Sequence, residues 1–298
     1  MHMELRVLKY FLVVAQEESF TRAAQKLHLS QPTLSRQLHD LEIEYGKQLF
    51  IRGARHVSLT QDGLLLRKRA EEILSLVAKT ESELLSTDET ITGDIRIGAG
   101  ESRNFQLITQ IAAELKAKYP AIRFHIITGD GSSNLYMLER GLIDFSFDYG
   151  KHDPAKYQEL QLPARDRWGV LLRTDHALAS KKFIGAEDLW PEPLIMSRQS
   201  LNDFTHAKEL LDWLQKPLQE LNIVGSYNLL FNASLMVEAG LGCALAFEDI
   251  INTQQSNLCF RPLEPAVYAQ PNIFWKRNQF FSQASQKFLE LLQQRLAH

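Results

Sequence analysis

Cysteine is nearly absent: Cys243 and Cys259 are the only two among 298 residues. Two thiols are too few for a disulfide framework or a cysteine-built zinc site, which points to a reducing compartment. They read as buried thiols, with redox sensing as the other reading. No run approaches the roughly 18 apolar residues of a membrane span. The N-terminal MHMELRVLKYFLVV carries Glu4, Arg6 and Lys9 within it, so it fits neither a span nor a secretory signal, and the cytoplasm is the expected location. Neither sign of charge dominates. With 33 Lys and Arg against 36 Asp and Glu, the net charge of -3 advertises no polyanion partner, and any nucleic-acid contact must come from a local patch. The signatures G-x-S-x-G, P-loop and H-E-x-x-H are all missing, and the nine histidines are scattered. Asp144 and Asp148 read as polar groups at a sheet end. No catalytic constellation emerges, and nothing calls for a cofactor or a metal.

What is present is organised. The length suggests about two domains, and a 45% hydrophobic composition suits a globular protein with sizeable cores. Leu5, Leu8, Leu12 and Ala15 recur at helical spacing, predicting a helix over 4–16. A second helix is expected over 20–28, with Phe20, Ala23, Ala24 and Leu27 inward and Ser19 or Thr21 as its cap. After a turn at His28-Leu29, Ser30 caps a third helix, with Pro32 in its first turn, where a missing N–H costs nothing. Leu34, Leu38, Leu41 and Tyr45 form one stripe that must be buried. The opposite face carries Pro32, Thr33, Arg36, His39 and Asp40, with Gln31 and Ser35 at its edges.

Gln, Thr, Ser and Arg side chains match base edges and phosphates in a major groove, and helix, tight turn, helix is the unit that delivers them. The alternative is a small bundle with a merely solvated polar face. Two features weigh for DNA. Residues 19–58 carry Arg22, Lys26, Arg36, Lys47, Arg52 and Arg55 against Asp40, Glu42 and Glu44, a local positive excess. LFIRGARHVSLT then reads as a β-hairpin wing whose Arg52 and Arg55 neutralise phosphates.

These residues carry a family resemblance as well. F-T-R-A-A at 20–24, L-S-Q-P-T-L-S-R-Q-L at 29–38, L-F-x-R-x-x-R at 49–55 and L-T-x-x-G at 59–63 resemble, in this order, the winged helix-turn-helix of LysR-type transcriptional regulators. The resemblance implies that Gln31, Pro32, Thr33, Ser35 and Arg36 face DNA and that Arg52 and Arg55 hold its backbone. Ile43 departs from the family, which has a polar residue there, and it points outward on the helical wheel.

Thr60 caps the next segment, which meets no proline before Pro120. Leu66, Ala70, Ile73, Val77, Thr80 and Leu84 form a heptad seam. A helix over 60–87 would run about 42 Å. It either packs on its own domain or, as the stronger reading, pairs two copies so that two recognition helices meet one duplex. Beyond residue 92 short apolar runs alternate with helices: DIRIGA, RFHIIT and DFSFDY with helices near 105–118 and 132–140, then WGVLLR, PLIMS, NIVGSY, GCALAF and LCFRPL with helices near 203–216 and 228–240, then NIFWK and a helix over 282–296. That pattern predicts largely parallel α/β sheets in two lobes with a cleft between them.

The fold class expected is therefore α plus α/β. It comprises a winged helix-turn-helix (1–59), a linker helix (60–91) and a two-lobed effector-binding domain (92–298) that the resemblance likens to periplasmic binding proteins. On that likeness lobe I is about 94–163 plus 268–298, and lobe II about 164–267. In IGAGESRNF, Arg103 stands where a dinucleotide fingerprint needs its third glycine. The resemblance implies an effector contact at Ser102, and Gly100 replaces a hydroxyl common in the family. The loops GDGSS and SRQSLN and the helix cap at Asn228 add Asp130, Ser132, Ser197, Arg198 and Asn228, for each of which simple capping or solvation is the competing reading. Arg103 and Arg198 suggest a small anionic effector. The expected function is a DNA-binding regulator controlled by a small molecule, in a dimer and, as in the family, a tetramer. The alternative is a ligand-binding receptor with no role on DNA.

Overall fold

A computed structural model describes residues 3–53, 56–85, 91–202 and 207–297. The chain divides into two compact units, Met1–Leu85 and Ser86–His298.

The first unit contains α1 (Leu5–Glu17), α2 (Phe20–Lys26), α3 (Gln31–Tyr45), β1 (Phe50–Arg52), β2 (Val57–Leu59) and α4 (Gln61–Leu85). Its helix starts follow local chemistry. The Ser19 hydroxyl accepts from the Arg22 N–H and that of Ser30 from the Thr33 N–H, and Pro32 lies in the first turn of α3. The Thr60 hydroxyl accepts from the Gly63 N–H at 3.0 Å and donates to the Gln48 carbonyl at 2.6 Å, tying α4 to the wing. Phe11, Phe20, Phe50, Leu34, Leu38 and Leu41 centre one core, where the Phe11 and Phe50 rings lie 5.2 Å apart.

Three expectations need correction here. The buried stripe of α1 is Val7, Leu8, Phe11 and Val14, whereas Leu5 is exposed. Both stripes have helical spacing, and the Phe11–Phe50 contact decides between them. Tyr45 is exposed, because α3 ends at Gly46 in a left-handed turn (φ 61°) and the chain leaves the core. The seam of α4 is divided: Ala70 is buried and Leu66 half-buried in the unit's own core, while Ile73, Leu76 and Thr80 stay exposed.

The second unit runs β3 (Gly93–Ala99), α5 (Gln106–Lys118), β4 (Ile122–Thr128), α6 (Gly131–Glu139), β5 (Phe145–Asp148), β6 (Tyr157–Gln161) and β7 (Asp166–Arg173). It continues with α7 (Ala186–Leu189), β8 (Leu194–Ser197), α8 (Arg198–Asn202), α9 (Lys208–Leu214), β9 (Ile223–Tyr227), α10 (Leu230–Glu238), β10 (Cys243–Phe247) and β11 (Leu258–Pro262). The last elements are β12 (Tyr268–Ala269), β13 (Asn272–Lys276) and α11 (Gln283–Leu296). One sheet has the order β4-β3-β5-β13-β6 and the other β11-β7-β10-β8-β9, with β12 on β7.

Both sheets are mixed rather than largely parallel. β3 runs parallel to β4 and β5, and β8 to β9 and β10, as βαβ crossovers require. β13 is antiparallel to β5 and β6, and β7 to β10 and β11, because these strands bring the chain across and back. Separate cores underlie the sheets, one around Ile97, Phe145 and Phe288, the other around Val170, Leu172 and Leu245. In place of one helix over 203–216, α8 precedes and α9 begins at Lys208; residues 203–206 lie outside the described ones. Among the described residues no helix is long and apolar enough to cross a membrane.

Candidate nucleic-acid interface and ligand cleft

The three buried leucines of α3 turn its other side outward, exposing Gln31, Pro32, Thr33, Arg36, His39 and Asp40, with Ser35 half-buried at the edge. Arg36 has no ion-pair partner among the described residues. Arg52 is held between the wing and α3. Its guanidinium donates to the Ser35 hydroxyl at 3.5 Å, lies 3.6 Å from a Glu42 carboxylate oxygen, and sits 5.0 Å from the Phe20 ring centre. Arg55 lies outside the described residues. Ile43 is exposed.

Glu42 has a role that counting charges missed. Its nearly buried carboxylate accepts the Leu49 N–H at 2.7 Å and the Phe50 N–H at 3.2 Å, so it pins the start of the wing to α3. The positive excess of residues 19–58 also shrinks in three dimensions. Lys26 pairs with Glu17 at 2.8 Å, Arg22 donates to the Glu17 carbonyl, and Lys47 reaches Asp62 at 3.3 Å. Both of those acids lie just outside the window.

In the second unit a cleft opens between the two sheets' loops, with about 640 Å³ of empty space including its mouth. Of the residues expected there, Asp130, Ser197 and Asn228 line it. Ser102 lies behind the wall, donating to Asp166 at 2.8 Å. Ser132 is exposed and donates to Asp130 at 3.0 Å. Arg198 is exposed and forms a hydrogen-bonded ion pair with Asp130. Arg103 points elsewhere, into a hollow beside Leu162 and Pro163, because the 3₁₀ turn at 103–105 carries it away. The anionic-effector expectation rested on Arg103 and Arg198, and neither arginine stands free in the cleft. Nor does Asn228 cap α10; Leu229 holds that position, and the first amide, Leu230 N–H, donates instead to Glu101.

Sequence reading missed Glu101, Gln199 and the aromatic walls Tyr149, Trp168, Tyr227 and Phe247. Trp168 and Phe247 lie 4.1 Å apart and Tyr149 and Phe247 4.8 Å, so the rings form one surface. Tyr149 donates its hydroxyl to Asp166 at 2.9 Å and Tyr227 to the Leu245 carbonyl at 2.7 Å. Burial, together with the Asp166 charge at Tyr149 and the Glu101 charge at Tyr227, raises both phenols, which stay neutral. Asp130 goes the other way: burial alone would raise it, but hydrogen bonds from Ser133, Arg198 and Ser132 hold it well below the usual carboxylate range.

His176, Glu192 and Cys243 bring ligand-type atoms within 4.8 Å of one another. His176 Nδ1 accepts the Leu178 N–H at 3.2 Å, which places the ring proton on Nε2, facing Glu192 at 3.4 Å. A metal would need that nitrogen bare, so the cluster is better described as a hydrogen-bond network. Burial, and then the Glu192 charge, push the Cys243 thiol up to about 12.

Two family models match the chain. One, described as a bacterial regulatory helix-turn-helix protein of the lysR family, matches residues 5–64, and the other, a LysR substrate binding domain, matches residues 88–297. The transcriptional regulator BenM of Acinetobacter baylyi is 32% identical over 269 residues, spanning 88% of this chain and 86% of that protein. The regulator BsdA of Bacillus subtilis is 28% identical, spanning 97% of this chain and 100% of its own. Among solved structures, full-length BenM has a TM-score of 0.55 at 29% identity, covering 99% of this chain and 97% of that one. CbnR, a LysR family transcriptional regulator, has a TM-score of 0.77 at 18% identity and covers 99% of this chain and 100% of its own, a likeness of fold.

Proposed function

The chain belongs to the LysR family of transcriptional regulators, and from that premise we propose that it reads double-stranded DNA through α3, as a cytoplasmic oligomer whose grip a small molecule adjusts. It is a regulator rather than an enzyme, and family membership removes the reading as a receptor without DNA. One observation carries the proposal: α3 exposes Gln31, Thr33 and an unpaired Arg36 while its leucines anchor it. In a major groove, Arg36 and Gln31 take base edges, and Thr33 and Ser35 sit at the rim. Pro32 brings the helix start close to the backbone. Arg52, and Arg55 beyond the described residues, position the phosphates.

Within the expected 60–87 segment, whose residues 86–87 lie outside the described ones, the exposed part of α4 pairs two copies and sets two copies of α3 on one duplex. Exposed Phe231 and Leu235 on α10 give dimers a further apolar face on which to form a tetramer. Asp130, Ser197 and Asn228 meet the effector in the cleft, with Ser102 supporting it through Asp166. Ser132 and Arg198 act through Asp130, and Arg103 makes no direct contact. Lobe closure then changes how the copies sit and so how DNA is bent.

The test is selection of binding sites from a random duplex pool. The native protein should enrich a two-part motif, and Arg36→Ala should lose preference at one position of each half, a cost of about 1–3 kcal/mol. Failure of the native protein to enrich any duplex would reject the assignment of α3.

A further inference from the structure

Several donors that an anion could use in the cleft already face oxygens of the chain itself, although the buried Gln199 Nε2 has no hydrogen-bond partner among the described residues. The first amide of α10, Leu230 N–H, donates to Glu101. At the start of α6, the Ser133 N–H donates to Asp130 at 2.9 Å, and the Gly131 N–H faces the Gln199 side-chain oxygen at 3.4 Å. Arg198, an exposed guanidinium at the rim, pairs with Asp130. Among the described residues that line the cleft there is no Lys, Arg or His.

Most of what remains for a ligand is of the opposite character. One Glu101 oxygen takes no hydrogen bond among the described residues, since only its partner oxygen receives Leu230. Buried Asp166 stands behind the wall with two hydroxyl donors and, among the described residues, no cationic partner. With Asp130 paired to Arg198, Glu101 and Asp166 are the carboxylates of this region that have no Lys or Arg partner among the described residues. Both tyrosines turn their hydroxyls into the protein, so Tyr149 and Tyr227 join Trp168 and Phe247 in offering ring surface. Ring faces attract cations through their quadrupole, and carboxylates do so by charge.

We infer that the cleft takes a small organic cation, an alkyl- or arylammonium, seated on the aromatic wall and neutralised by Glu101 and Asp166. This rests on the reading of the cleft as the effector site and deepens it. Beyond the single free donor Gln199 Nε2, an anion would have to displace Glu101 and Asp130 from their donors, and it would in any case sit beside both carboxylates. An ammonium leaves every one of those hydrogen bonds in place.

The experiment is calorimetric titration of the full chain at neutral pH with three probes of similar shape: benzylammonium, benzyl alcohol and benzoate. Benzylammonium should bind at least tenfold more tightly than the other two. Glu101→Gln retains an acceptor for the Leu230 N–H but loses the charge, and should weaken benzylammonium about tenfold while leaving benzyl alcohol unchanged. Asp166→Asn, which still accepts both hydroxyls, is the second variant should the first not fold, with the same expectation. Unchanged benzylammonium affinity in a folded variant overturns the inference. Benzoate binding as tightly as benzylammonium also overturns it; loss of that binding in Trp168→Ala would leave the cleft as the effector site with a different ligand class. No binding of any probe overturns it too. A mixture of polar metabolites in a thermal-shift assay then judges the cleft separately: a raised midpoint keeps it as the effector site, and an unmoved one removes that reading as well.

Discussion

A methyl group added at Gly63 would meet the Leu49 carbonyl oxygen at 2.2 Å and the Leu59 side chain at 3.2 Å. The start of α4 is packed onto backbone there, and backbone cannot rotate away. One added at Gly100, in the cleft, meets only the Gly129 carbonyl at 3.9 Å, an ordinary contact. Gly63→Ala should therefore cost about 1–3 kcal/mol in denaturant unfolding, while Gly100→Ala stays within about 0.5 kcal/mol. Asp130 supplies a test by pH. Its folded carboxyl titrates below the unfolded value of about 3.9, so its stabilisation is complete above that pH and is lost as pH falls towards the folded value. Asp130→Asn should flatten the acid limb of the thermal midpoint below about pH 4 and lower the midpoint above it. A native acid limb as shallow as the variant's would contradict this. At Cys243 burial holds the thiol protonated through the neutral range, which fits an inert buried thiol.

At the scale of elements, α4 divides its labour along its length. Ala70 and the half-buried Leu66 and Leu74 belong to the unit's own core, so the proposed pairing of two copies would fall to the exposed Ile73, Leu76 and Thr80. Ile73→Glu should leave unfolding within about 0.5 kcal/mol, yet shift sedimentation towards the single protomer. An unchanged sedimentation profile would place the pairing surface elsewhere. The caps at Ser19, Ser30 and Thr60 were legible because the signal and its partner lie three residues apart. The α1 stripe was misread because two rows fit the helical period and only a distant Phe50 chooses between them. The cleft was the least legible part. Glu101 meets Leu230 across 129 residues and Ser102 meets Asp166 across 64, and no local pattern announces either. Asp130, Ser197 and Asn228 were within reach because loops after strands in α/β sheets converge on such a crevice.

Across the whole molecule, charge and topology both work at a distance. The DNA-binding unit carries its basic residues largely paired with its own acids, while Arg36 on the exposed side of α3 has no ion-pair partner among the described residues. On the proposed reading of α3, recognition would lean on placed hydrogen bonds more than on bulk attraction to phosphate. The order β4-β3-β5-β13-β6 has a temporal side. β13 wedges between β5 and β6, and β6 pairs with β13 at every register position, so the sheet cannot close until residues 272–276 have left the ribosome. Everything the winged unit needs is synthesised about two hundred residues earlier. A nascent or prematurely ended chain thus presents a finished reading head attached to an unfinished sensor.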